Sequence, residues 1–262
     1  MSVQCGDNHT ICFGGSGELW VFGGNEKGQL GLGDKTNRPT PVVNEQLMNM
    51  ACVSCGECFS VCVDSYGDVW GFGANLFGNL GLPNTSAYLN PTKIPGLRDI
   101  RYVSCGSRHT ACVDNSGSVW TFGMNNYGQL GHGDRINRKE PTKIEHISGI
   151  LSAACGAYHS IFLNRSGTAF SCGRNSYGQL MLGTSARVLK ATEVPPLPVP
   201  VAYAACGADH SIFLLENDDV YGAGCNSKGQ LGNLPQTCKT PTKIPDLCDI
   251  IRLSCGYNQT MC

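Results

Sequence analysis

One string recurs along this chain at an almost constant interval. CGSRHTACVDNSGSVWTFGMNNYGQLGHG runs from Cys105 to Gly133, and related strings begin at Cys5, Cys55, Cys155 and Cys206, with the opening repeated at Cys255. Successive starts lie 50, 50, 50, 51 and 49 residues apart. Self-similarity at such a period requires a repeat architecture, in which each copy is a supersecondary unit that buries its apolar surface against its neighbours. An active site needs residues that occur once, and most of this chain repeats.

The hydrophobic period says what the unit is. In the third copy Ile100–Cys105 alternates apolar and other residues, and His109–Asp114 alternates again. Asn115-Ser116-Gly117 is a tight-turn signal, Val119–Gly123 is a third apolar run, and a long loop leads to Pro141, where PTKI supplies a fourth strand. The period is two throughout, and no segment offers a long amphipathic helix. Four strands in each 50-residue unit predict an all-β fold, a β-propeller of four-stranded blades. The repeats run approximately 5–54, 55–104, 105–154, 155–205 and 206–254, with a partial sixth at 255–262, as one domain over 1–262.

Recurring residues carry physical expectations of their own. Gly17, Gly67, Gly117 and Gly167 supply the positive φ that a bulged hairpin turn needs, and Asn217-Asp218 stand there in the fifth copy. Trp20, Trp70 and Trp120, followed by Phe170 and Tyr221, are expected to pack blade against blade. Leu30 and Leu130 should point inward, with Asn and Gln of NxxGQLG tying the loop through backbone hydrogen bonds.

Composition narrows the class. The net charge is −1 and no five like charges run together, which argues against an electrostatic grip on nucleic acid or an anionic membrane. No apolar run approaches the ~18 residues a spanning helix needs. The first residues, MSVQCGDNHTICF, lack the basic start and apolar core of a signal peptide, so a cytoplasmic or nuclear protein is expected. Most of the sixteen cysteines occupy equivalent repeat positions, which reads as reduced core thiols rather than disulfides.

The pattern CGxxHT…GxVWxFGxNxxGQLG…PTKI resembles the repeat of the regulator of chromosome condensation family over essentially the whole chain. The resemblance implies a propeller, most often of seven blades. Five copies and the start of a sixth then read as an incomplete seven-bladed ring or, alternatively, a closed ring of five. It also implies one of two roles: a non-enzymatic docking disc for partner proteins, or guanine nucleotide exchange on a small GTPase such as Ran. Exchangers of this kind use a β-wedge inserted in the propeller, for which spacings of 49 to 51 leave no room, and the founder's basic tail has no counterpart before Cys5. The docking reading is therefore preferred. Light sensing, as in the related plant ultraviolet receptor, would need tryptophans beside CGxxHT. The positions there hold Asp7-Asn8, Glu57-Cys58, Ser107-Arg108, Ala157-Tyr158 and Ala208-Asp209.

Two motifs imitate chemistry. Cys52, Cys55, Cys58 and Cys62 have the spacing of an iron–sulfur run, but Cys55 and Cys62 are ordinary repeat cysteines and an extended strand cannot wrap a cluster. His9, His109, His159 and His210 share one slot, filled by Phe59 in the second copy, and are expected to be structural, each ring bonded to nearby backbone. No GxSxG, GxxxxGK[ST] or HExxH is present. No catalytic residue, metal or cofactor is expected. Recognition is assigned instead to the variable loops, which carry specificity on a rigid scaffold. The candidates are Asp34, Lys35 and Arg38 in GDKTNRPTP, the matching Asp134, Arg135 and Arg138 in GDRINRKEP, and Tyr88 and Leu89 as apolar anchors. The segment Pro195–Pro200, PPLPVP, reads as a stiff connector or as a proline-rich ligand.

Overall fold

The computed structural model describes residues 2–15, 17–247 and 249–262. It divides into two compact units, one comprising Met1–Met124 with Asn137–Lys143, the other Asn125–Ile136 with Ile144–Cys262. Within each, the building block is a four-stranded antiparallel meander.

The first unit holds three such sheets. They are β1 (Ser2–Cys5), β2 (His9–Phe13), β3 (Leu19–Gly23) and β4 (Arg38–Val43); then β5 (Met50–Cys55), β6 (Phe59–Asp64), β7 (Val69–Gly73) and β8 (Tyr88–Lys93); then β9 (Ile100–Cys105), β10 (His109–Asp114), β11 (Val119–Gly123) and β12 (Arg138–Lys143). The second unit holds two: β13 (Ile150–Cys155), β14 (His159–Asn164), β15 (Ala169–Gly173) and β16 (Val188–Glu193), then β17 (Val201–Cys206), β18 (His210–Leu215), β19 (Val220–Cys225) and β20 (Thr237–Lys243). It ends in a two-stranded ladder, β21 (Ser254–Cys255) with β22 (Thr260–Met261). Among the described residues there is no helix.

Three of the four strands expected in the third copy have the expected bounds. The fourth starts earlier, at Arg138, and stops before Ile144. Pro141 is tolerated because this strand is the sheet's edge, where a missing amide donor leaves no gap in the ladder. Each sheet begins with the strand that ends in the Cys of Cys-Gly, so a blade is the segment 50–93 or 100–143.

The second strand of a blade is enclosed within its sheet. All six residues of β6 are buried, and five of six in β10 and β14. One core cluster joins Ile11, Leu19, Val21 and Leu30 of the first blade to Val53, Cys62 and Phe72 of the second. Another joins Val61, Val69 and Leu80 to Val103, Cys112 and Phe122 of the third. In the second unit Ile161, Leu163 and Val194 meet Val201, Phe213 and Leu215.

The tryptophan column is only partly what its spacing predicts. Phe72 and Phe122, two residues beyond Trp70 and Trp120 on the same face, are fully buried. Trp70 and Trp120 pack half-buried beside them, and Trp20 is 39% exposed. The indole lies at the hairpin end of the strand, and its Nε1 donates to a carboxylate. Trp70 reaches Asp64 at 3.0 Å, and Trp120 reaches Asp114 at 3.2 Å. The same aspartates close the hairpins by accepting from the amides of Tyr66 and Asp68, and of Ser116 and Ser118. Gly117, at φ 83°, takes the left-handed turn position this requires.

The described cysteines are free thiols. Burial pushes Cys55 up to about 12 and holds Cys62 and Cys206 well above the ordinary range, so these thiols are inert packing groups. Cys52 packs toward the third blade's cluster, whereas Cys55 and Cys62 belong to the cluster shared with the first. The cysteines of the iron–sulfur-like run thus lie on opposite faces of one sheet and do not converge.

Candidate functional site

In a meander the first turn and the third loop leave the sheet at the same end, while the hairpin and the link to the next blade leave at the other. The Cys-Gly-x-x-His turn and the NxxGQLG loop therefore share one end of every blade. What holds this end rigid is a relay between neighbouring blades. The His9 ring stands over Gly6, where an added Cβ would come within 2.2 Å of Cε1. Phe59 stands over Gly56 in the same way, which explains why a flat apolar ring can fill the slot.

The ring's Nε2 then reaches a hydroxyl on the next blade rather than nearby backbone, a correction to the sequence expectation. His9 meets Ser60 at 2.9 Å, His159 meets Ser211 at 2.9 Å, and His210 meets Thr260 at 3.0 Å. Ser60 Oγ donates onward to the carbonyl of Gln29 at 2.9 Å, and Ser211 Oγ to that of Gln179 at 2.8 Å. Because the Ser60 and Ser211 hydroxyls spend their protons on carbonyls, they accept from Nε2–H. Burial lowers His9 and His210 to about 4 and His109 to about 3.

The NxxGQLG loops are self-tied as expected. Asn25 Oδ1 accepts from Leu30 N at 3.0 Å, Gln29 Oε1 accepts from Lys27 N, and Leu30 is fully buried. Asn125, Gln129 and Leu130 repeat the arrangement.

Of the eight candidates, several serve the loop itself. Asp34 accepts from Asn25 Nδ2 at 3.0 Å and Thr36 N at 2.9 Å, and pairs with Arg38 at 2.6 Å. The Arg38 bond and then the Thr36 amide hold its carboxyl below the usual range. Asp134 likewise accepts from Asn125 Nδ2 and Ile136 N, and Arg138 opens β12 half-buried. Lys35 and Arg135 are exposed at the tips. Tyr88 and Leu89 open β8 and are half-buried. Tyr88 packs against the core, and Leu89 sits where a Cβ on Gly28 would be 2.7 Å from its Cδ2.

The same end carries side chains that the loop-based reading passed over. In the first unit Arg108 makes a bidentate pair with Glu57, at 2.8 and 3.1 Å, and its guanidinium lies 5.2 Å from the Phe77 ring centroid. Asp7 stands close by; burial, then the Glu57 charge, raises its carboxyl against the opposing pull of Arg108. In the second unit Arg174 lies over Tyr127 at 5.8 Å and Tyr177 at 5.7 Å, and pairs with Asp209 at 3.3 Å. Tyr158 continues the stack, 5.2 Å from Tyr127, and Gln179 Nε2 donates to Asp209 at 3.0 Å. Burial raises the Asp209 carboxyl, with Arg174 and then Gln179 opposing.

The signal for these residues was present as columns. The x-x pair of CGxxH and the second x of NxxG (Lys27, Phe77, Tyr127, Tyr177, Lys228) vary while their neighbours stay fixed. Chemically each of the two clusters suits binding rather than catalysis. Arg174 offers a planar cation beside two aromatic rings and Arg108 one beside a single ring.

Compared with known proteins, residues 1–262 match the model of the RCC1-like domain. Human HERC3, a probable E3 ubiquitin-protein ligase, is 58% identical over 33 residues, which cover 13% of this chain and 3% of that protein. Human protein RCC2 is 39% identical over 57 residues, covering 20% of this chain and 11% of RCC2. These matches take in only a small part of each relative. Among solved structures, Prp20p of Saccharomyces cerevisiae, described with its binding to Gsp1p and histones, superposes with a TM-score of 0.86 at 22% identity. It covers 97% of this chain and 66% of its own. Human WBSCR16 superposes with a TM-score of 0.85 at 22% identity, over 98% and 69%.

Proposed function

The chain belongs to the RCC1-like domain family, and on that premise we propose that it is a non-enzymatic protein-interaction platform that binds partner proteins through the Cys-Gly-x-x-His end of its blades. The observation that carries this reading is the Arg174 cluster. Tyrosine and arginine dominate interface hot spots, and here a partly buried arginine is preorganised between Tyr127 and Tyr177. Arg108, with Glu57 and Phe77, presents the same chemistry in the first unit.

Of the loop candidates, Lys35 and Arg135 are the ones free to meet a partner. Asp34, Arg38 and Asp134 shape the loop, Arg138 opens its strand, and Tyr88 and Leu89 contribute packing. No helix among the described residues is long and apolar enough to cross a membrane. A cytoplasmic or nuclear setting fits the reading, as does one recognition domain built of repeated blades.

The test is affinity capture with the tagged chain, followed by reconstitution with the purified partner. Arg174→Glu, and separately Lys35→Glu with Arg135→Glu, should release a partner that survives Ser116→Glu at the opposite end. Retention by every variant at the Cys-Gly end overturns the reading. Prp20p supplies the rival, exchange on a small GTPase, through its binding to Gsp1p. Stimulated nucleotide release from a Ran-like GTPase by this chain alone would put exchange first.

A further inference from the structure

The fourth strand of every blade is an edge strand, and its register slips at one point. In the fifth blade Gly222 pairs with Thr242 and Gly224 with Cys238, so Ala223 faces three residues, Lys239, Thr240 and Pro241. The other blades bulge at the same register, which sets Thr40, Asn90, Glu140, Lys190 and Thr240 in one column. Every member of this column is exposed.

Bulges at sheet edges re-aim side chains, and this one is held in place by its neighbours. The carbonyl before the column residue accepts from the loop of the preceding blade, Lys239 from Gly183 N at 3.0 Å and Leu89 from Gly33 N at 2.9 Å. The column residue's own carbonyl accepts from the threonine two residues on, at 3.1 Å in Asn90, Glu140 and Thr240 alike. The bulge is a fixed frame that leaves one side chain in solvent, whatever that side chain is.

In the fifth blade the frame displays Thr240-Pro241-Thr242-Lys243. The Thr240 methyl lies toward Gly183, where an added Cβ would be 3.6 Å away, and its hydroxyl has no partner among the described residues. Pro241 fixes φ near −65° and carries no N–H, so an enzyme cleft that encloses the residue after the hydroxyl leaves no donor unsatisfied. Lys243 pairs with Asp219 at 2.6 Å, but its side chain is 53% exposed. A surface pair of this kind contributes little and yields to a competing carboxylate.

We propose that Thr240 is a phosphorylation site for a proline-directed protein kinase whose acidic rim takes the cation of Lys243. The phosphoryl donor is a nucleoside triphosphate. A bond forms between Thr240 Oγ1 and the γ-phosphorus, the bridging P–O bond breaks to release nucleoside diphosphate, and the hydroxyl proton passes to the kinase's carboxylate base. Glu140 occupies the same register in the third blade and keeps the same bond at its carbonyl, so the frame accommodates a negative side chain. Thr40-Pro41 repeats the acceptor in the first blade, but Val43 stands three residues on, where the fifth blade has Lys243.

The experiment incubates the folded full chain with magnesium ATP and a cyclin-bound cyclin-dependent kinase, which selects proline after the acceptor and a base two residues further. Mass spectrometry of the intact chain and its fragments reads the site. Phosphate is expected on Thr240, with none at that site in Pro241→Ala and an initial rate at least ~10-fold lower in Lys243→Ala. Thr40→Ala should leave the rate unchanged, and circular dichroism melts check that each variant is folded. Phe213→Ala, which empties a fully buried slot in the same blade, should be labelled no faster at a temperature where it remains folded. Faster labelling of that variant would make the unfolded chain the substrate and overturn the proposal. An unmodified Thr240 under conditions that fully label a peptide of residues 234–246, or phosphate chiefly on Thr40, overturns it equally.

Discussion

The histidine relay makes stability depend on pH in a window where little else titrates. Burial lowers His9 and His210 to about 4 and His109 to about 3, from an ordinary 6.5. In the unfolded chain each regains its ordinary value and binds a proton below that pH. The folded pKa is the depressed one, so the contribution is fully present above pH 6.5 and is lost as pH falls toward 4. At pH 5 each unfolded imidazole is favoured by roughly 2 kcal/mol, so the three together remove about 6 of the ~5–15 kcal/mol of a typical domain. The carboxylates held low, Asp34, Asp114 and Asp219, act below their ordinary 3.8, outside the window. Asp7 and Asp209 are raised and oppose the trend. Urea unfolding followed by circular dichroism at pH 7.5, 6.5, 5.5 and 5.0 measures the slope. His9→Phe, the ring that Phe59 already places in this slot, should cost about 1 kcal/mol at pH 7.5 through the lost Ser60 bond. It should also flatten the slope by about one third. Stability that is level from pH 7.5 to 5, or a His9→Phe slope as steep as the parent's, would refute the relay as described.

Three further outcomes follow from the same packing. Phe122→Ala empties a fully buried slot and should cost ~3–5 kcal/mol in denaturant unfolding, whereas Trp20→Ala, at a 39% exposed site, should cost about 1. Gly156→Ala would place a Cβ 2.1 Å from His159 Cε1 and 2.5 Å from the Gly207 carbonyl. It should cost at least ~1–3 kcal/mol, while Gly149→Asn, in a left-handed slot that Asn49 and Asp99 already fill, should melt like the parent. In a thiol-labelling time course the exposed Cys5 and Cys262 should react at once, and Cys62 and Cys112 only on unfolding.

The strands were legible because period and punctuation agreed, and β9, β10 and β11 have the bounds that the third copy implies. Burial was less so. HTACVD alternates like a half-exposed strand, yet five of its six residues are buried, so alternation alone understates burial of an inner strand. The tryptophans drew attention by size, but Phe72 and Phe122 fill the centre because they lie further from the hairpin rim. The relay escaped local reading, since Ser60 lies 51 residues beyond His9. Glu57 and Arg108 are likewise 51 apart, and once the beat is known, residues one period apart become the natural partners to examine. Asp34 and Arg38 show the converse: charged and at a loop's edge, they are spent on each other.

Amide hydrogen exchange over the full chain tests most directly whether each period is one blade. Protection should rise and fall with the repeat, reaching five maxima on the inner pairs β2–β3, β6–β7, β10–β11, β14–β15 and β18–β19, each enclosed within its own sheet. Protection spread evenly, or maxima that fall on the outer strands β4, β8, β12, β16 and β20, would contradict the blade assignment and the recognition end built upon it.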